Sequence, residues 1–297
     1  MDSIALACVL VSAVLHATWN ILLKTAGDPL RTATIGMIAA FAVLLPGVAV
    51  GWLALGQPSL PAPAVVIGSL SGLAEIAYFV FLSAAYRRGD LSIVSPLARG
   101  SAPLLIVAVG IVVLGERLSA GATAGVVMLL VGLLTVQRPW QFLRGAHAGH
   151  RAAAGFALLT GLMIATYTSL DRVGSQLVAP WIYAAVLWGV GALGLGLVDL
   201  IRPRIAGGAF APADGSIDLP RALAGGLLTL AAYLLVLFAL SRAAVALVGP
   251  LRESGVLITS AYGVLVLHEA VTRREIGLRL SGSVMVLLGA AVLAFAG

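Results

Sequence analysis

Residues 17–24 read Ala17-Thr18-Trp19-Asn20-Ile21-Leu22-Leu23-Lys24, and residues 165–172 read Ala165-Thr166-Tyr167-Thr168-Ser169-Leu170-Asp171-Arg172. Small, threonine, aromatic, leucine and basic positions recur in the same order 148 residues later. The register persists downstream. Tyr78 aligns with Tyr233, Ser95-Pro96-Leu97 with Gly249-Pro250-Leu251, Leu114-Gly115-Glu116 with Leu267-His268-Glu269, and Gly125-x6-Gly132 with Gly282-x6-Gly289, the offset drifting only to 157. Leu, Val and Gly are abundant, so each match is weak alone. Their common order makes a duplicated unit the economical reading.

What is duplicated follows from composition. The chain has 297 residues, 61% hydrophobic and 10% charged. A water-soluble domain carries about 25% charged residues, so the solvent of this chain is largely lipid. Apolar runs at about 4–23, 32–55, 63–86, 91–114, 119–137, 152–170, 178–200, 221–241, 243–267 and 276–296 are each near the roughly 20 residues that span a bilayer. Gly27-Asp28-Pro29, Arg87-Arg88-Gly89-Asp90 and Arg202-Pro203-Arg204 punctuate them. The expected fold is therefore an all-α integral membrane protein of ten transmembrane helices. Its domains are a five-helix repeat at 1–137, a connection at 138–151 and a second five-helix repeat at 152–297. An odd number of spans per unit sends the second copy in from the opposite side, which gives inverted repeats, a transporter architecture. Met1-Asp2-Ser3 lacks a positive n-region, so the first apolar run reads as a retained helix rather than a cleaved signal peptide.

Cys8 is the single cysteine, and His16, His147, His150 and His268 show no zinc-ligand spacing, so no metal and no cofactor is expected. The net charge of +6 sits in connections between apolar runs, which points to membrane topology and not to nucleic acid. Thirteen of the 18 Lys and Arg residues fall in connections after odd-numbered helices, which by the positive-inside rule puts both termini outside.

The Leu114-Gly115-Glu116 and Leu267-His268-Glu269 helix ends, the Gly-x6-Gly helices after them and the His16-Ala17-Thr18-Trp19-Asn20 run with Lys24 together resemble the EamA-type transporters of the drug/metabolite transporter superfamily. The resemblance runs over essentially the whole chain. It implies a multi-pass carrier in a bacterial-type cytoplasmic (inner) membrane, monomer or homodimer, with a cavity between its halves. Its partners would be a small-molecule substrate, amino acids or their analogues being the best class and export the expected direction, the lipid bilayer, and protons as a candidate coupling ion. Relatives in that superfamily are described with both termini in the cytoplasm, against the charge count, which is the orientation kept here.

Ionisable groups inside spans are costly and usually face the protein interior. Arg99, Arg252 and Glu253 are candidate substrate-binding residues, the guanidinium fork suiting a carboxylate or phosphate. Arg99 aligns with Glu253 across the repeat, three residues after each helix's proline, so pairing of the two is the alternative reading. Pro96 and Pro250 are expected to break the fourth and ninth helices, exposing polar backbone beside Ser95 and Ser254. Tyr78, Tyr233, Trp19 and Asn20 are candidate cavity walls, and Tyr167, Tyr262 and Trp188 lie within spans where they could wall the same pocket. His16 and Glu75 are candidate proton carriers, with an interhelical strut as the competing role for His16. Glu116 and Glu269 read as interfacial salt links or gating contacts, Glu116 beside Arg117 and Glu269 beside Arg273 and Arg274. Gly68-x3-Gly72, Gly121-x3-Gly125 and the Gly191, Gly194, Gly196 set mark close helix packing. A lipid-linked-sugar flippase of the same fold is the alternative function. An intramembrane enzyme lacks any H-E-x-x-H, G-x-S-x-G or paired Asp motif, so no enzymatic activity is expected.

Overall fold

The computed structural model describes residues 1–24, 28–88, 91–138, 148–205, 217–255, 257–258 and 272–296. Among them the chain forms ten α-helices: α1 (Ser3–Lys24), α2 (Pro29–Ala54), α3 (Ala62–Tyr86), α4 (Leu91–Val112), α5 (Ala120–Gln137), α6 (Ala148–Leu177), α7 (Pro180–Ile205), α8 (Leu219–Arg242), α9 (Val245–Arg252) and α10 (Arg273–Ala296). A single 3-10 turn, Glu253–Gly255, continues α9. No strand occurs among the described residues.

The helix starts obey local chemistry. Asp28 caps α2, its side chain accepting from the Arg31 N–H, and Pro29 opens the first turn where no N–H partner is needed. Asp218 does the same for α8 ahead of Pro220, and Ser119 caps α5 through the Ala122 N–H. Seven helices, α2, α3, α5, α6, α7, α8 and α10, are long and apolar enough to cross a membrane. The described apolar stretches of α1 and α4, Ser3–Trp19 and Leu97–Val112, are shorter. Large apolar side chains such as Val112, Leu193 and Phe295 point outward, 81%, 76% and 93% exposed, an arrangement that only lipid tolerates. The protein is a multi-pass membrane protein.

Helices α1–α5 pair with helices α6–α10. α3 packs on α6 as α1 packs on α8, α2 packs on α8 as α3 packs on α7, and α5 packs on α10. Renaming α1–α5 as α6–α10 and the reverse maps this set of contacts onto itself. Glycines set the closest approaches. A Cβ on Gly226 of α8 would run into the backbone of Gly36 on α2, and on the α5–α10 face Gly125 meets Gly289 and Leu293 while Gly132 meets Gly282 and Val286. The two Gly-x6-Gly motifs that align in sequence thus face each other in an antiparallel crossing. Gly68 and Gly72 lie against Val186, Leu187 and Val190 of α7, and Gly194 against Ile76 of α3.

Two expectations are corrected. The sixth helix does not end near 170 but runs Ala148–Leu177, because the apolar run is longer than hydropathy alone delimits and Asp171-Arg172 lie inside it. Pro96 does not break α4, which is continuous over Leu91–Val112, and Pro250 sits inside α9, whose α-geometry gives way only at Glu253.

Candidate functional site

Between them, α1, α3, α6, α8 and α9 leave a small cavity of about 20 Å³. Helical periodicity explains which residues reach it. Ser12, His16 and Trp19 fall on one face of α1, Glu75, Tyr78 and Phe79 on one face of α3, and Thr229, Ala232, Tyr233 and Val236 on one face of α8, all at i, i+3, i+4 or i+7 spacing. Tyr167 of α6 and Arg252 of α9 complete the wall, so helices from both halves of the chain contribute.

The wall is aromatic with embedded charge. Tyr78 stands edge-on to Phe79 and to Tyr167, with centroids 4.7 and 6.0 Å apart, and Tyr167 lies 6.3 Å from Tyr233. The Arg252 guanidinium sits 5.8 Å from the centre of the Tyr167 ring, and its Nη2 donates to the Tyr167 hydroxyl at 3.3 Å. Beside the cavity, Arg99 Nη1 lies 3.7 Å from Glu253 Oε2. The second nitrogen of Arg99, Nη2, is 3.3 Å from His16 Nε2. A guanidinium only donates, so His16 Nε2 carries the lone pair there and the ring is neutral. Glu75 is 5% exposed, and its Oε2 has no hydrogen-bond partner.

Behind the Tyr233 ring lies a second carboxylate that sequence reading left out of the candidate set. Asp171, 1% exposed, accepts from Ser71 Oγ of α3 at 2.5 Å, from Tyr183 Oη of α7 at 3.0 Å and from Tyr233 Oη of α8 at 2.5 Å. Three other helices thus converge on one α6 side chain. Glu75, Asp171, Tyr233 and Arg252 lie within electrostatic reach of one another.

Ion pairs tie the bundle at both ends. At the face where α1 begins, Glu116 Oε1 and Oε2 accept from the Val245 and Ala246 N–H groups at 2.7 and 3.0 Å, which caps α9, whose own N-cap residue, Ala244, offers no side-chain hydrogen bond. Arg172 Nε lies 3.4 Å from the same carboxylate while its Nη1 donates to the Leu240 carbonyl at 2.5 Å. Arg242 Nε reaches Asp2 at 2.6 Å. The expected partner of Glu116, Arg117, is not the one it meets: the carboxylate turns to a helix N-terminus and to Arg172. At the opposite face, Arg202 grips Asp28 with both Nη groups at 3.1 Å.

Of the sequence-predicted residues, His16, Trp19, Glu75, Tyr78, Tyr167, Tyr233 and Arg252 share the cavity, and Arg99 and Glu253 pair next to it. Ser254 sits half-buried in the 3-10 turn, away from the lining, and Pro250 is buried in α9. The side chains of Asn20, Ser95 and Pro96, and the whole of Tyr262 and Glu269, lie outside the described residues. Ser12, Phe79 and Thr229 join the lining without having been singled out, though their spacing from His16, Glu75 and Tyr233 carried the signal. Among the described residues no cluster of His, Cys, Asp or Glu is suited to a metal ion.

No curated protein gives a significant match to the chain. A solved structure titled only "Crystal structure of protein" superposes with a TM-score of 0.71 at 20% identity, over 100% of this chain and 99% of that one, which establishes the fold. Residues 3–137 match the model of the EamA-like transporter family. That match covers α1–α5, which supply His16, Trp19, Glu75, Tyr78 and Arg99, so the first half of the chain is similar to the EamA-like transporters.

Proposed function

We propose that the protein is a secondary transporter that moves a small polar or amphipathic metabolite across the cytoplasmic membrane by alternating access, with its two five-helix units acting as inverted repeats around the central cavity. The observation that carries the reading is that cavity: it lies between the units, is walled by both, and combines Arg252 and the Glu75 Oε2 with the rings of Trp19, Tyr78, Phe79 and Tyr167. Carriers place substrate near the bilayer midplane at the repeat interface. An oriented cation, an acceptor oxygen and apolar ring faces are what an amphipathic solute such as an amino acid or its analogue needs for recognition. Export is the direction we favour from family resemblance. Arg252 orients an anionic group of the solute, and Trp19, Tyr78 and Tyr233 hold its apolar part.

The test is solute counterflow in proteoliposomes with labelled amino acids and small organic anions, with empty liposomes as control. Saturable exchange that Arg252→Ala abolishes while Arg252→Lys retains part of it supports the carrier and its site. Folded protein that exchanges no water-soluble compound refutes the reading and favours the flippase alternative.

A further inference from the structure

A second chamber adjoins the first. Trp19 of α1, Phe79 of α3 and Thr229 of α8 border both, and Gly36 and Met37 of α2 and Trp188 of α7 lie on the far side, around a space of about 20 Å³. That is room for about one water-sized group. Among the described residues its wall carries no ionisable side chain. The row of groups that starts at Arg252 and Tyr167 ends there: Tyr233, 6.3 Å from Tyr167, meets Trp188 edge-on at 5.9 Å.

Trp188 is 1% exposed, yet its Nε1–H has no acceptor. An indole N–H only donates, and a buried one usually finds a partner, because its desolvation is otherwise uncompensated. A phenyl ring would pack in the same place without stranding a donor. Thr229 supplies the complement. Its hydroxyl hydrogen is committed to the Gly225 carbonyl at 2.8 Å, so toward the chamber its oxygen can only accept. An unmet donor and an open acceptor around a space the size of one water fit a single hydroxyl group, which accepts from Trp188 and donates to Thr229. A methyl group matches the volume and satisfies neither.

Resting on the carrier reading above, we infer that this chamber is a specificity subsite for the far end of the solute, selecting an unbranched apolar tail that ends in a hydroxyl. Trp188 is the residue that decides: a tail ending in methyl seals its N–H away from every acceptor. Water has the same chemistry as the hydroxyl and holds the place between solutes, so a methyl end must also displace a water whose bonds it cannot reproduce. The head of the solute stays with Arg252 in the first cavity, and the two chambers together set the distance from charge to hydroxyl.

Equilibrium binding of labelled δ-hydroxynorvaline and norleucine, the same skeleton ending in hydroxyl or in methyl, to the purified full-length protein in nanodiscs tests this without any transport assay. The wild type is expected to bind δ-hydroxynorvaline roughly tenfold more tightly, the difference between a hydrogen bond made and a buried donor stranded. Trp188→Phe, which keeps a ring and loses the N–H, is expected to bring the two affinities to within about twofold of each other. Thr229→Val is expected to narrow the preference in part, and it carries the test if Trp188→Phe folds poorly. In ultraviolet resonance Raman spectra, norleucine is expected to move an N–H-sensitive indole band of the wild type to its unbonded position, a component missing from Trp188→Phe. Equal affinities in the wild type, a preference that survives Trp188→Phe, or binding of neither amino acid overturns the subsite. Counterflow separates this inference from the carrier reading: saturable exchange of other solutes without the preference sinks only the subsite, and the preference without exchange sinks only the carrier.

Discussion

Replacing Asp171 with Ala removes the acceptor of three interhelical hydrogen bonds, from Ser71, Tyr183 and Tyr233, and strands three buried hydroxyls. In soluble proteins a hydrogen bond to a charged group contributes about 1.5–3 kcal/mol. Interhelical bonds in membranes average about 0.6 and reach about 1.7 kcal/mol, because the membrane-unfolded chain also finds partners. Three such bonds put Asp171→Ala at roughly 2–5 kcal/mol of destabilisation on the membrane scale. Tyr233→Phe, which loses one short bond and keeps its ring in the cavity wall, is expected near the upper single-bond value of about 1.7 kcal/mol, and Ser71→Ala and Tyr183→Phe nearer 0.6. The assay is steric-trapping unfolding in bicelles on the four single variants and on each donor variant combined with Asp171→Ala. If one carboxylate collects all three bonds, each donor substitution becomes nearly neutral once Asp171 is gone, and the double-mutant cycles report coupling of the size of the single losses. Asp171→Ala within about 0.5 kcal/mol of wild type, or donor losses unchanged in its background, would refute the cage.

Three further outcomes follow from named contacts. Glu116→Ala leaves the Val245 and Ala246 N–H groups without their acceptor and is expected to cost about 1–2 kcal/mol, with faster hydrogen exchange at those two amides and unchanged exchange in α5; undiminished protection would assign the capping elsewhere. Gly226→Val drives a side chain into the Gly36 backbone and is expected to lower the thermal midpoint in detergent by several degrees or abolish folding, whereas Gly47→Ala, where a Cβ meets nothing within 4 Å, leaves it unchanged. At the N-terminus, the Ala5 N–H and then Arg242 hold the exposed Asp2 carboxyl below its ordinary range, so its tie from α1 to α8 is complete above that range and is lost as the pH falls through the lowered value; carboxyl NMR should find the Asp2 midpoint below that of a model peptide, and Arg242→Ala should raise it.

The fold was largely legible because its strongest signals are local. Apolar runs of spanning length give the helices. Gly125 was readable as a packing position, while nothing in the aligned Gly125-x6-Gly132 and Gly282-x6-Gly289 motifs told that the two would pack on each other. Seven of the cavity residues were legible for a related reason: a charged or aromatic side chain midway along an apolar run has few places to go except inward. Asp171 escaped because it is followed by Arg172, and a charged pair at the end of an apolar run looks like a helix terminus; only the convergence of hydroxyls from α3, α7 and α8 keeps it inside. The partners of Glu116 were illegible in principle, since backbone N–H groups 129 and 130 residues away leave no mark in composition or spacing.

Among the described residues the two ends of the bundle are tied unequally, and the inequality says which end opens more readily. At the face opposite the N-terminus, Asp28 and Arg202 form a two-pronged pair, both side chains under 5% exposed. Separating such a pair leaves two desolvated charges, a cost of about 3–5 kcal/mol when one partner is removed. At the N-terminal face the Asp2–Arg242 pair is 38% and 44% exposed, and solvent screens such a pair. The Glu116–Arg172 contact there is longer, at 3.4 Å against 3.1 Å, and Arg172 is 19% exposed. Water entering at this end re-solvates its charges early; at the other end it must first reach a buried fork. The cavity is therefore expected to open first where α1 begins. Spin labels at Ile4 and Phe238, both outward-facing at that end of α1 and α8, should give a broader distance distribution than labels at Arg31 and Leu200 on α2 and α7 at the other. Arg202→Met paired with Asp28→Leu, which replaces the fork with apolar volume, should leave the first distribution unchanged. A distribution broader at the Arg31–Leu200 end in the wild type would show that buried pairing does not set the order of opening.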